Sequence, residues 1–178
     1  VAAPPRIAAD FDTSQASLAW VLTLPLVLGA VVLAVSGRLG DLFGHRRVFL
    51  VSLVAGGAFA LAAAAAWDPI SLTVFRTLSQ SIATAAGPAA IALVVSTHDE
   101  EHRPRVLGFW ACAMAIAPAA GLLTGGPLVD SVSWRGLFAG QGVAALAVAV
   151  LAGRLLPETV RVHKVRFDVA GAISFMVA

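Results

Sequence analysis

Long stretches without charged residues divide this 178-residue chain into apolar segments joined by short polar connections. The five longest segments cover residues 13–37, 48–67, 69–98, 106–129 and 136–153. Arg76 is the one charged residue inside them. An α-helix needs about 20 apolar residues to cross the ~30 Å hydrocarbon layer of a bilayer. The pattern therefore predicts five complete membrane-spanning helices.

The spans are predicted to be helices because they are apolar throughout. Backbone groups in lipid must be hydrogen-bonded internally, which leaves helices or a closed barrel. Barrel strands alternate apolar and polar residues, and the segment 48–67 shows no such alternation. The fold class is accordingly all-α, a polytopic transmembrane bundle. A further apolar run begins at 169–178, and residues 1–9 fit the end of an earlier span.

Basic residues are concentrated in alternate connections, which predicts the orientation of the spans. Nine of the twelve lie in one set of connections, at Arg38, Arg46, Arg47, Arg103, Arg105, Arg154, Arg161, Lys164 and Arg166. Connections on the cytoplasmic side carry an excess of Lys and Arg. We therefore expect residues 38–47, 98–105 and 154–168 to be cytoplasmic and residues 1–12 to lie outside.

Composition supports a lipid environment and excludes several classes of protein. Charged residues make up 12% of the chain and the mean hydropathy is +0.89, whereas soluble domains carry roughly 25% charged residues. The net charge of +2 gives no basis for binding nucleic acid. We expect no catalytic residues, cofactor or metal. One lysine against eleven arginines is typical of a high-GC bacterial genome, which points to a bacterial inner membrane.

The strongest motif joins the first two complete spans. It contains Gly37, Asp41, Gly44, Arg46 and Arg47. Glycines permit a tight turn and close helix approach, Asp41 can cap or complement a helix N-terminus, and the arginines can anchor the cytoplasmic face. The spacing resembles the loop between helices two and three of the major facilitator superfamily. That resemblance implies that Asp41 and Arg46 stabilise one gate state through cytoplasmic contacts with the other half of the transporter.

Arg76 is a functional candidate because a charge inside a span is costly. The alternative is that it snorkels to the outer interface, roughly 9 Å away at helical rise. The family places an arginine linked to proton transfer in its fourth helix, where Arg76 falls if one span precedes this chain. Ser79, Gln80 and Ile82 replace the glutamine and glycines that accompany it there. The resemblance implies a role for Arg76 in proton coupling.

The fourth span contains a series of small residues and a proline. They are Ala117, Pro118, Gly121, Gly125 and Gly126. Small residues spaced by four allow helices to pack closely. The series also resembles the fifth-helix antiporter motif of the family, although Leu122 stands where that motif has a proline.

The sequence around Asp168 resembles the opening of helix seven in the fourteen-helix drug:proton antiporter branch. The resemblance implies a partial N-terminal half of the major facilitator fold. Residues 1–12 would then be the end of helix one and an outer loop, 13–155 helices two to six, 156–168 a cytoplasmic loop and 169–178 the start of helix seven.

The implied function is export of small, drug-like, amphipathic compounds in exchange for protons by alternating access. The expected partners are membrane lipid, substrate, protons and the remainder of the transporter. No Asp or Glu occurs in the five spans, so either the proton-carrying carboxylate lies in other sequence or the coupling is not by protons. One alternative is a truncated, non-transporting fragment or a membrane interaction module. Another is a major facilitator transporter of a different solute class.

Two further sequence features resemble binding sites, but we do not interpret either of them as one. His98 and His102 have the spacing of an inverted zinc motif, but they lie in a connection followed by Pro104 and have no apparent third ligand. Trp20, Trp67 and Trp134 lie near the predicted ends of spans, where aromatic anchors at the lipid–water interface are expected.

Overall fold

A computed structural model of the chain describes residues 15–156, with side chains at 19–120 and 133–156. Five α-helices make up this part, namely α1 (Gln15–Phe43), α2 (His45–Ala64), α3 (Pro69–Thr84), α4 (Ala86–Thr97) and α5 (Arg103–Leu155). The expected all-α membrane bundle is confirmed. The expected outer loop at 1–12, most of the loop at 156–168 and the helix start at 169–178 lie outside the described residues.

Four helical segments are long and apolar enough to cross a membrane. They are Ala19–Phe43, His45–Ala64, Pro69–Thr97 and Ser133–Leu155. They correspond to four of the five spans in the sequence pattern. The remaining span, at 106–129, is helical as predicted and lies within Arg103–Leu155. Some of its side chains are not described, and its crossing of the membrane stays a prediction.

Helix α5 contains one break that divides it into two parts. Its 53 residues would extend roughly 80 Å at helical rise, far more than a bilayer requires. Ser133 has a non-helical backbone, with φ 60° and ψ 158°. We call residues 103–132 the proximal part of α5 and residues 133–155 the distal part. The sequence pattern placed a connection here, and the structure reduces it to this one residue.

The third span is divided into two helices at Ala85, where the backbone angles stay helical but the hydrogen bonding changes. Pro88 has no N–H to donate to the carbonyl of Thr84, so the regular helical hydrogen bonding fails at this turn. The Ala85 N–H instead bonds to the carbonyl of Ile82, three residues back, at 3.1 Å. The proline therefore interrupts the helical hydrogen bonding about halfway along the span.

A capping box starts α3. The Ser71 N–H donates to the Asp68 carboxylate at 2.5 Å, and the Asp68 N–H donates to the Ser71 hydroxyl at 3.2 Å. Pro69 follows at the first helical position, where its missing N–H costs nothing. The bond from the Ser71 N–H also holds the pKa of the Asp68 carboxyl below its usual value. Asp68, the residue between the predicted spans 48–67 and 69–98, is therefore the N-cap of a well-defined helix start.

The helices pack around α2 and α3. Helix α2 packs most extensively on α5 and then on α3, while α1 packs mainly on α3. The principal core cluster contains Val21, Ala63, Ala66, Leu72 and Trp134, with Phe75 and Phe138 packed against it. These residues lie at the start of α1, the end of α2, and the starts of α3 and distal α5. The core therefore occupies one end of the bundle.

Candidate functional site

The motif between the first two spans is helical except at one residue. Helix α1 continues through Gly37 and Asp41 to Phe43, and α2 begins at His45. Only Gly44 intervenes, with φ 89° and ψ 130°. A positive φ favours glycine, which has no Cβ to clash with the backbone. The expected loop over 38–47 is thus wrong in extent, since the reversal at Gly44 is sharp enough to need no further residues.

Gly37 has no role in close helix packing within the described part of the chain. A Cβ added there would meet nothing within 4 Å. Among the described residues, Gly44 therefore serves the expected turn, whereas Gly37 lies inside α1 and makes no close helix contact.

Asp41 lies beside the first residue of α2. Its Oδ1 is 3.4 Å from Nε2 of His45, so the two groups form an ion pair when the imidazole is protonated. The N-cap of α2 is Gly44, and no side chain hydrogen-bonds there. Asp41 therefore does not cap α2. The other expected role, a negative charge that complements the helix dipole, stays a prediction.

The two motif arginines have different surroundings. Nη2 of Arg46 donates to the carbonyl of Gly153, near the end of α5, at 2.6 Å. Arg47 is exposed and helps to line a groove of about 430 Å³ between α1, α2 and the third span. The other lining residues are Val32, Leu39, Phe43, Val48, Val51, Ser52, Ile82 and Ala85. Arg46 thus joins two helices of this bundle, whereas Arg47 faces an open apolar surface.

Arg76 is half-buried in α3 and faces distal α5. Its guanidinium carbon lies 5.0 Å from the centre of the Phe138 ring. Its buried Nε has no hydrogen-bond partner among the described residues. The cation is therefore held mainly against an aromatic face in this part of the molecule.

The residues around Arg76 join α3 to its neighbours. The Ser79 hydroxyl donates to the Gly56 carbonyl of α2 at 2.8 Å. A Cβ on Gly56 would lie 3.3 Å from the Ser79 carbonyl oxygen, so these helices approach closely. Gln141 of distal α5 donates to the Gln80 side chain at 3.4 Å. The departures from the family pattern at 79 and 80 therefore serve helix contacts.

The fourth-span motif is only partly described. Ala117 and Pro118 are exposed, so this end of the small-residue series is not packed against α1–α4. Gly121, Gly125 and Gly126 belong to α5, and their packing lies outside the described side chains. The antiporter role of this motif stays a prediction.

Arg135 is a structural residue that the sequence pattern did not single out. Its Nη1 donates to the carbonyls of Ala64 at 3.0 Å and Ala66 at 2.7 Å, at the end of α2. Its guanidinium carbon lies 4.3 Å from the centre of the Trp134 ring. The sequence feature that could have indicated this role is an arginine directly after a tryptophan at the start of a span.

Trp134 is 2% exposed and belongs to the core cluster. Its expected place at the lipid interface is therefore wrong, because the ring packs between helices. Trp20 and Trp67 are 61% and 72% exposed, as interface anchors require.

The histidine-containing connection is organised by Arg103. Its Nε donates to the carbonyls of Val95 at 2.9 Å and His98 at 3.0 Å, and Nδ1 of His98 lies 3.0 Å from the Val94 carbonyl. No group of three metal-ligating side chains occurs in the described ranges.

The two sets of connections fall at opposite ends of the bundle. Arg46 meets Gly153 at one end, and a groove of about 330 Å³ there is lined by residues that include Phe49, His98 and Leu155. Arg135 meets the end of α2 at the other end. The concentration of basic residues in alternate connections requires that the two sets lie at opposite ends. Which end faces the cytoplasm stays a prediction.

Comparison with known proteins extends along nearly the whole chain. Residues 1–173 match the Major Facilitator Superfamily. The puromycin resistance protein pur8 of Streptomyces alboniger is 35% identical over 172 residues, which cover 95% of this chain and 34% of that protein. A tetracenomycin C resistance and export protein of Streptomyces glaucescens is 31% identical over 173 residues, covering 96% and 32%.

A third relative is the cephamycin export protein CmcT of Amycolatopsis lactamdurans. It is 32% identical over 172 residues, which cover 95% of this chain and 35% of that protein. The chain thus spans about a third of the length of these relatives.

Proposed function

The chain belongs to the major facilitator superfamily and is a multi-pass membrane protein, and from this premise we propose that it forms part of the N-terminal half of a proton-coupled exporter of small, drug-like, amphipathic compounds. The observation that carries the proposal is similarity over 95% or more of the chain to proteins named for antibiotic resistance or export. The remainder of the transporter supplies the other wall of the substrate site. Alternating access by rocking of two halves is the transport mechanism.

Arg76 acts in coupling rather than in carrying the proton itself. An arginine stays charged at physiological pH, so it influences a carboxylate that takes up and releases the proton. The five spans contain no Asp or Glu, and that carboxylate therefore lies in the other part of the transporter. The position of Arg76 inside a span, against an aromatic ring and with Nε unpartnered in the described region, supports this role.

Residues of the motif around Gly44 make two kinds of contact, one within this bundle and one with the other half of the transporter. Arg46 joins the ends of α2 and α5 through the Gly153 carbonyl. Asp41 and Arg47 retain exposed side chains, and they meet the other half in one gate state. The motif faces the cytoplasm of a bacterial inner membrane, as the concentration of arginines in its set of connections supports.

Replacing Arg76 with alanine in the full-length transporter should abolish proton-driven export while leaving the amount of protein in the membrane unchanged. The reason is that the cation would no longer act on the proton-carrying carboxylate. Export of ethidium driven by an imposed pH gradient, measured in inverted vesicles, tests this expectation.

Arg105→Ala is the matched control, because Arg105 is an exposed arginine near the start of α5 and outside the predicted spans. It should export at the native rate. Undiminished gradient-driven export by Arg76→Ala would reject the coupling role. If the native protein exports a different solute class and does not export ethidium, the proposed substrate class is wrong but the proposal of a transporter stands.

A further inference from the structure

Arg76 stands at one end of a continuous row of aromatic and cationic side chains. Its guanidinium lies over Phe138, and the Phe138 ring meets Trp134 edge-to-face with centroids 6.1 Å apart and an interplanar angle of 76°. Trp134 also contacts the Arg135 guanidinium, which lies 4.3 Å from its ring centre. We call these four residues the aromatic ladder.

The end of the ladder at Arg135 is hydrogen-bonded to the end of α2. Arg135 donates to the Ala64 and Ala66 carbonyls, which belong to the C-terminal end of that helix. The last carbonyls of a helix lack intrahelical partners and carry partial negative charge, so they attract a cation. Trp134 is 2% exposed among Val21, Ala63 and Leu72. The anchor therefore has little freedom to move.

The end of the ladder at Arg76 is a cation whose ring contact within the described region is with Phe138. The buried Nε of Arg76 has no hydrogen-bond partner there, and the electron-rich face of a phenyl ring attracts a desolvated guanidinium. Because Phe138 is one helical turn beyond Trp134 on distal α5, the position of the ring follows from the position of the anchor.

We propose that Phe138, Trp134 and Arg135 are positioning residues that hold the Arg76 guanidinium between α3 and distal α5. This inference rests on the proposed coupling role of Arg76. Loss of the ring face would leave Arg76 in place but free to reorient. Gradient-driven export would then fall while downhill movement of substrate continued.

Phe138→Leu in the full-length transporter tests the ladder, because leucine keeps the apolar contact and removes the ring face. We expect the ratio of gradient-driven to downhill ethidium transport to fall about tenfold, as the loss of a desolvated cation–π contact implies. Phe138→Tyr keeps the ring and should restore the ratio. Phe109→Leu, at a phenylalanine that is 68% exposed on proximal α5, should leave it at the native value.

A purely structural role for Phe138 would lower both transport modes together through reduced protein abundance, so an unchanged ratio in Phe138→Leu would overturn the ladder. If that ratio is unchanged while Arg76→Ala still abolishes driven export, only the ladder fails. If Arg76→Ala retains driven export, the proposed role of Arg76 fails and the ladder with it. Should Phe138→Leu not insert into the membrane, Phe138→Met decides the question by the same ratio.

Discussion

Gly142→Ala is expected to force α2 and distal α5 apart and to destabilise the protein. A Cβ at residue 142 would lie 2.8 Å from the Gly57 carbonyl oxygen and 2.7 Å from Cγ of Leu61. The leucine side chain can move, but the carbonyl belongs to the backbone of α2. The helices must therefore separate, and overpacking of this kind costs about 1–3 kcal/mol of unfolding free energy.

Gly140→Ala is the matched control for this prediction. Residue 140 lies two positions earlier in the same helix, and a Cβ there would meet nothing within 4 Å. Alanine is favoured over glycine inside a helix by roughly 0.5–1 kcal/mol. The control should therefore be neutral or slightly stabilising, opposite in sign to Gly142→Ala.

Thermal unfolding of the purified full-length protein in detergent distinguishes the two variants. A lower melting temperature for Gly142→Ala alone is the expected result. Equal melting temperatures for the two variants would contradict the close crossing of α2 and α5 at Gly57 and Gly142.

Arg46→Ala is expected to detach the end of α5 from the start of α2. The 2.6 Å bond from Arg46 to the Gly153 carbonyl joins residues 107 positions apart. A hydrogen bond from a charged donor contributes about 1.5–3 kcal/mol. The loss should appear as a lower melting temperature and less folded protein in the membrane.

Arg47→Ala is the control, since Arg47 is the adjacent arginine and is exposed. It should leave the melting temperature unchanged and alter only steps in which the two halves of the transporter meet. If Arg47→Ala destabilises the protein as much as Arg46→Ala does, the contact with Gly153 is not what stabilises this end of the bundle.

Together with Arg135, Arg46 gives the α2–α5 pair a matching contact at each end. Each arginine lies near the start of one helical segment and donates to carbonyls near the end of the other. This is possible because the two segments run antiparallel and cross at Gly57 and Gly142. Both cations therefore lie against the negative end of a helix dipole.

The membrane-spanning segments could be predicted from the sequence because the lipid solvent alone determines their length, apolar composition and helical conformation. An apolar run long enough to cross lipid has one stable conformation there. All five predicted spans lie in helices, and four of them meet the length and hydropathy that a membrane crossing requires. The end of the first span was placed too early at residue 37. Arg38 and Asp41 marked a connection by charge, yet the helix continues past both to Phe43.

Tertiary contacts could not be predicted from the same pattern. Trp134 has the sequence environment of an interface anchor, and only the arrangement of three other helices buries it. Arg135 has the sequence environment of an outer-loop residue, and its acceptors are about 70 positions away along the chain. Such contacts depend on which helices are neighbours, and hydropathy carries no information about that.

Arg76 lies between these two cases. Its charge inside an apolar run marked it as a functional candidate without any structure. The ring beneath it could not be foreseen, because Phe138 lies in a span that is not adjacent in sequence. The sequence thus identified Arg76 as a candidate, and the fold showed that the Phe138 ring lies against its guanidinium.

Side-specific labelling of single cysteines tests the membrane arrangement most directly. Cys112 is exposed and is first replaced by serine in the full-length transporter. Trp67→Cys, Arg47→Cys and His98→Cys are then treated separately with a membrane-impermeant maleimide, in intact cells and in inside-out vesicles. We expect residue 67 to react in intact cells, and residues 47 and 98 to react only in inside-out vesicles. Reaction of residues 47 and 98 from opposite sides would contradict the arrangement.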